Sequence, residues 1–126
     1  MHTQHSPQRL NIEVVQRGAI TVVVPEGTRL DAEVAGELRL ALLELIERGN
    51  RKLVVDLREI DFIDSSGLGA FVSALKHIKQ SDVSGDIRLA NVHPSVAAVL
   101  EIIRLNRVFF QAPTVEDAVA SFGAVA

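Results

Sequence analysis

From Leu10 the chain alternates, with apolar Leu10, Ile12 and Val14 separated by polar Asn11 and Glu13. A period of two places one set of side chains on one face, which predicts a strand. Arg17-Gly18 divides this run from Ala19-Ile20-Thr21-Val22-Val23-Val24, and two β-branched runs joined by a short glycine link predict a hairpin. Pro25 and Gly27 close it. Val34, Leu38, Leu42 and Leu45 then recur at helical spacing, with Glu33, Glu37, Arg39, Glu44 and Glu47 on other faces. Asp31 is the predicted N-cap of this helix and Gly49-Asn50 its end. Leu53-Val54-Val55-Asp56-Leu57 is almost continuously apolar, as a strand covered on both faces must be.

Leu68, Phe71, Val72, Leu75 and Ile78 share one side of a second, strongly amphipathic helix. Residues 87–92 read as a strand. Val96, Val99, Leu100 and Ile103 follow Pro94, a good first helical residue. Val108-Phe109-Phe110 reads as a strand, and Val115, Ala118, Val119 and Phe122 as a last helix. The order β-β-α-β-α-β-α-β-α predicts an α/β fold. Its sheet is mixed and mostly parallel, opens with an N-terminal hairpin and is flanked by about four helices. The domain is expected over residues 10–122, with a polar tail at 1–9 and a short one at 123–126. Functional loops in such sheets lie at the carboxyl ends of strands, here residues 26–30, 58–65, 93 and 111–114.

A length of 126 residues suits one domain. With 48% hydrophobic and 23% charged positions the chain is neither disordered nor fibrous. The absence of cysteine excludes a disulfide scaffold, a thiolate metal site and cysteine catalysis together. A net charge of −3, with no Trp or Tyr, argues against nucleic acid as a partner. No apolar run approaches the ~18 residues of a membrane span, so direct membrane insertion is not expected. The polar start Met1-His2-Thr3-Gln4-His5-Ser6-Pro7-Gln8 has no signal-peptide core. These features predict a soluble, cytoplasmic protein.

The segment from Asp56 through Asp64-Ser65-Ser66-Gly67-Leu68-Gly69 follows the buried strand and opens the strongest helix. Ser65 is the predicted N-cap, without a capping box because Leu68 stands at the third helical position. Gly67 and Gly69 in a first turn cost roughly 1 kcal/mol each relative to alanine, about what a cap returns. Two readings follow. Either the serines cap and the glycines ease packing, or the turn is a recognition surface with a hydroxyl placed where added negative charge is tolerated. Catalysis fits less well, and no catalytic residue is assigned. Ser65 lacks the G-x-S-x-G elbow, and His77 on the same helix lies about 18 Å away. His93 follows a strand and comes near the site, as a solvated loop residue. The phosphate-loop pattern is absent. Glu59, Asp61 and Asp64 are interrupted by Ile60, Phe62 and Ile63, and His2 and His5 lie in the tail. No metal or cofactor is therefore expected.

The strand at 53–57, the linker Ile60-Asp61-Phe62-Ile63 and the D-S-S-G-L-G motif at 64–69 resemble the centre of STAS domains, in particular bacterial anti-sigma-factor antagonists. The resemblance extends over about residues 10–122. It implies that Ser65, the first serine of the motif, is phosphorylated by a partner that is both anti-sigma factor and serine kinase (a GHKL-type ATPase). It further implies a PP2C-type phosphatase that reverses the modification. Asp64 matches the aspartate before the family's serine, and Leu30-Asp31 the loop before its first helix. The implied partner surface comprises Leu30, Asp31, Asp61, Ile63, Asp64, Ser65, Ser66, Gly67, Leu68, Gly69 and His93. Thr28, Val34 and Gly36 depart from the family's usual Gly, Thr and Pro. The alternatives are a STAS subunit of a transporter or sensor complex without a sigma factor, a small hydrolase using Ser65, and a purely structural partner protein that binds equally well whatever the state of Ser65.

Overall fold

A computed structural model describes residues 9–123, so residues 1–8 of the predicted tail, with His2 and His5, and residues 124–126 lie outside the described residues. Strands β1 (Ile12–Arg17) and β2 (Ile20–Pro25) form the antiparallel hairpin. It turns at Gly18, whose φ of 62° lies in the left-handed region. Two-residue β3 (Arg29–Leu30) leads through a turn into α1 (Ala35–Glu47). Then come β4 (Lys52–Asp56), β5 (Phe62–Ile63), α2 (Ser65–Ser81), β6 (Asp86–Ala90), α3 (Pro94–Ile102), a 3-10 turn (Leu105–Arg107), β7 (Gln111–Ala112) and α4 (Val115–Ala120). The main sheet has the order β1-β2-β4-β6-β7, with every pair parallel except β1 with β2.

The near-continuous apolar strands are explained by cover on both faces. Val23, Leu53, Val55, Ile87 and Leu89 point to one core with Leu38, Leu42 and Ile46 of α1, and Phe71, Ala74 and Ile78 of α2. Their neighbours Val22, Val24, Val54 and Ala90 point the other way, against Val115 and Ala118 of α4. At the open end of the first core, Arg9 and Leu10 each donate a backbone N–H to the Glu37 carboxylate.

Several expectations are corrected. Asp31 does not cap α1 directly. Its carboxylate accepts from Glu33 N, while its carbonyl accepts from Val34 N and Ala35 N, so it closes a turn and the helix begins at Ala35. Ile46, not Leu45, completes the buried stripe of α1. The expected Val108-Phe109-Phe110 strand is instead the loop that follows the 3-10 turn, and strand pairing begins only at Gln111. The alternation there serves to anchor one ring: Phe109 is fully buried edge-on to Phe71 at 6.2 Å, while Val108 and Phe110 remain exposed. Strands β3 and β5 were not expected at all. Two residues carry no periodicity, and this pair forms a separate small sheet in the register Arg29↔Phe62 and Leu30↔Ile63.

Candidate partner-binding site

The small sheet builds the site. Asp61 N and Phe62 N donate to Thr28 O, and Asp64 N donates to Leu30 O. These bonds hold the 58–64 loop against the loop before α1. From the other side Ser95 Oγ donates to Asp61 O at 2.6 Å. The His93 ring, which caps α3 by accepting from Ser95 N, lies 2.9 Å from the same hydroxyl. Three loops that are far apart in sequence therefore meet at the start of α2.

The cap of α2 is Asp64, and this corrects the expectation of Ser65. Asp64 is extended, with φ −116° and ψ −175°, and its Oδ1 accepts from Ser66 N at 2.9 Å and Gly67 N at 3.1 Å. Aspartate caps as well as serine does, and the position one residue earlier makes Ser65 the first helical residue. Ser65 and Ser66 are both exposed, so the Ser65 hydroxyl is released from capping duty.

The two glycines prove different in kind. A Cβ on Gly67 would lie 2.3 Å from Leu30 O, so only a bare backbone lets α2 seat on β3. A Cβ on Gly69 would meet nothing within 4 Å. Packing thus accounts for Gly67 and leaves Gly69 as open backbone on the surface beside Ser65.

Of the expected surface residues, Asp31, Asp61, Ser65, Ser66, Gly69 and His93 stand at or near the surface in one neighbourhood, and Asp64 caps beneath them. Leu30, Ile63 and Leu68 are at most 2% exposed, so their side chains position the surface from inside the core. Sequence reasoning missed Arg29, Phe62 and Ser95. The Arg29 guanidinium lies 3.9 Å from the Phe62 ring centroid and its Nε lies 3.2 Å from Asp31 Oδ2. The β3–β5 register brings the Arg29 and Phe62 pair together, and nothing in their spacing announces it.

Beyond Ser65 a groove of about 480 Å³ continues along α2, lined by Leu68, Val72, Lys76, Ile103 and Leu105 among others. Of the acidic residues in this loop, Glu59 Oε1 accepts from Gly27 N and Asp64 caps α2. Among the described residues no three His, Asp or Glu side chains are grouped to hold a metal ion. Neither described histidine serves Ser65, because His77 Nε2 lies 3.3 Å from Glu47 and His93 turns to Ser95.

Behind the site, Asp56 is fully buried at the end of β4. Its oxygens accept from Arg58 N at 3.1 Å, Arg58 Nε at 2.7 Å and Asn91 Nδ2 at 2.9 Å, and from Arg58 Nη2. The hydrogen bond and charge of Asp56 hold the Arg58 guanidinium above its ordinary pKa. A buried carboxylate needs such partners; here they lock the start of the 58–64 loop to β4 and to the end of β6. No helix among the described residues is long and apolar enough to cross a membrane.

This architecture is shared with known proteins. A family model described as the STAS domain matches residues 11–118. The anti-sigma-B factor antagonist of Staphylococcus aureus is 31% identical over 97 residues, spanning 77% of this chain and 87% of that protein. An anti-sigma factor antagonist from Mycobacterium paratuberculosis has the same fold, with a TM-score of 0.78 at 22% identity over 94% of this chain and 98% of that one. SpoIIAA of Bacillus, solved in a phosphorylated form, gives 0.65 at 23% identity over 90% and 99%. With its mixed sheet, four helices and a D-S-S-G-L-G turn seated on the small β3–β5 sheet, the chain belongs to the STAS domain family, among relatives that are anti-sigma factor antagonists.

Proposed function

We propose that this protein is an anti-sigma-factor antagonist, a binding module and not a catalyst, which acts in the cytoplasm. Its partner is an anti-sigma factor that is also a serine kinase, and phosphorylation of Ser65 switches it off. The observation that carries this reading is the exposed Ser65 hydroxyl, freed by the Asp64 cap and flanked by the open backbone of Gly69. The names of the Staphylococcus aureus relative and of the phosphorylated Bacillus structure support it.

In the unmodified state the partner docks on Ser65, Ser66, Gly69, Asp31, Asp61 and His93, and its client sigma factor is displaced. With ATP bound to the partner, Ser65 Oγ attacks the γ-phosphorus, its proton passes to a base of the kinase, and ADP leaves. The product carries about −1.5 to −2 charge on Ser65 at neutral pH. The helix terminus cannot absorb that charge freely, because the Asp64 carboxylate already occupies the amides of Ser66 and Gly67. The phosphate remains at the contact surface beside Asp64 and Asp61. Like-charge repulsion and desolvation there weaken binding by about two decades. A PP2C-type phosphatase resets the switch.

The test is to mix the protein with its cognate kinase and ATP and to map the product by peptide mass spectrometry. One phosphate on Ser65 is expected. Phosphate chiefly on Ser66, or on neither serine, overturns the assignment.

A further inference from the structure

β1 is an edge of the main sheet, and no described residue pairs with its outer side. Which of its backbone groups are free follows from one hydrogen bond. Glu26 N donates to Asn11 O at 2.8 Å, so Asn11 turns its polar groups toward β2. In an antiparallel ladder the direction alternates along the strand. Glu13, Val15 and Arg17 therefore bond inward, while Ile12, Val14 and Gln16 present N–H and C=O to the open edge. Pro25, which has no N–H, stands opposite Ile12, as this phase requires. Val14 and Val15 are 47% and 40% exposed, large values for neighbouring valines within one strand.

A free edge of this kind is a template for another strand, and the sequence IEVVQR favours one occupant in particular. For two copies related by a twofold axis, outward-bonding residues must face each other, and the axes that satisfy this while overlapping most of the six-residue strand pass through Val14 or Val15. An axis at Val14 sets Glu13 against Val15 of the second copy. An axis at Val15 sets Val15 on Val15, pairs Val14 with Gln16, and places Glu13 opposite Arg17 twice. Glu13, Val15 and Arg17 share one face of the strand, so opposite charges meet directly, as stable cross-strand pairs do. Arg17 is available for this, since its present contact with exposed Glu116 is a loose 3.8 Å.

We propose that β1 is a self-association edge, through which two copies join antiparallel about Val15 into one continuous sheet held by two Glu13–Arg17 pairs. None of the proposed kinase-contact residues lies on β1, so the dimer presents two Ser65 surfaces.

Sedimentation equilibrium over a range of protein concentrations tests this, with circular dichroism as the check on folding. A concentration-dependent dimer is expected. Glu13→Arg alone and Arg17→Glu alone should each weaken dimerisation by about tenfold, through two like-charge pairs. The double variant should restore it. Val14→Pro removes an N–H that only the dimer uses, and should give a folded monomer. A wild-type protein that stays monomeric at every concentration overturns the proposal. So does a dimer indifferent to both charge reversals and to Val14→Pro, which would place the contact elsewhere or leave the edge to an extended segment of another protein.

Discussion

The Leu30 carbonyl oxygen occupies the space that a Cβ on Gly67 would need, at 2.3 Å. Backbone cannot retreat there, because Leu30 O also accepts from Asp64 N, and the β3–β5 register holds Leu30 against Ile63. Gly67→Ala should therefore destabilise the domain by about 1–3 kcal/mol despite alanine's better helix propensity. Gly69→Ala meets no obstacle and should stabilise it by roughly 0.5–1 kcal/mol. The added methyl stands beside Ser65, so kinase binding should fall as stability rises. Urea unfolding with titration calorimetry on both variants reads the two effects separately, and equal stability changes would contradict the packing.

The cap can be separated from the acceptor. Asp64→Ala removes the oxygen that receives Ser66 N and Gly67 N, and should cost about 0.5–2 kcal/mol. Asp64→Asn keeps an acceptor oxygen and should stay near wild-type stability. Because it also removes a negative charge next to Ser65, phosphorylated Asp64→Asn should bind the kinase more tightly than phosphorylated wild type does. Binding that is equal in the two forms would show that the neighbouring carboxylate has no part in the switch.

Ser65 is the first residue inside the helix and not its cap. Ser65→Ala should accordingly leave stability within about 0.5 kcal/mol, while the protein stays bound to its kinase in the presence of ATP. Ser65→Asp adds one charge and should weaken binding less than phosphorylation, which adds more charge and more oxygens. Part of that weakening should fade with salt, since exposed charges are screened within about 8–10 Å. Calorimetry on the alanine, aspartate and phosphorylated forms at two salt concentrations gives the ranking. Alanine and aspartate variants that bind alike, together with undiminished binding of the phosphorylated protein, would end the switch model.

The loop that carries the site depends on a buried anchor. Asp56→Ala leaves the half-buried Asn91 amide and the Arg58 guanidinium without their shared acceptor, and should lower stability by about 1–3 kcal/mol. The released Arg58 should also loosen residues 58–64. Amide hydrogen exchange there should quicken more than in α4, and uniform quickening across the chain would argue against a local anchor.

Most of the fold was legible in the chain, because burial on both faces leaves a mark that needs no tertiary knowledge. Val22, Val23 and Val24 must each find cover, and the run announces a central strand. Leu68, Phe71, Leu75 and Ile78 must share a side, and their spacing announces a helix. The D-S-S-G-L-G turn marked the site, since two glycines in a first helical turn contradict local helix preference. What the chain could not express were pairings between segments too short to have a period, Arg29-Leu30 with Phe62-Ile63, and the bond from Ser95 to Asp61. The division of labour at the turn was equally hidden. Asp64, Ser65 and Ser66 are all residue types that cap, and helix phase alone decides which one does. Gly67 and Gly69 read identically in sequence, and only the approach of Leu30 O makes the first a packing necessity and the second an open surface. Local pattern reports what each residue must hide from water, whereas the tertiary structure decides which distant backbone it meets.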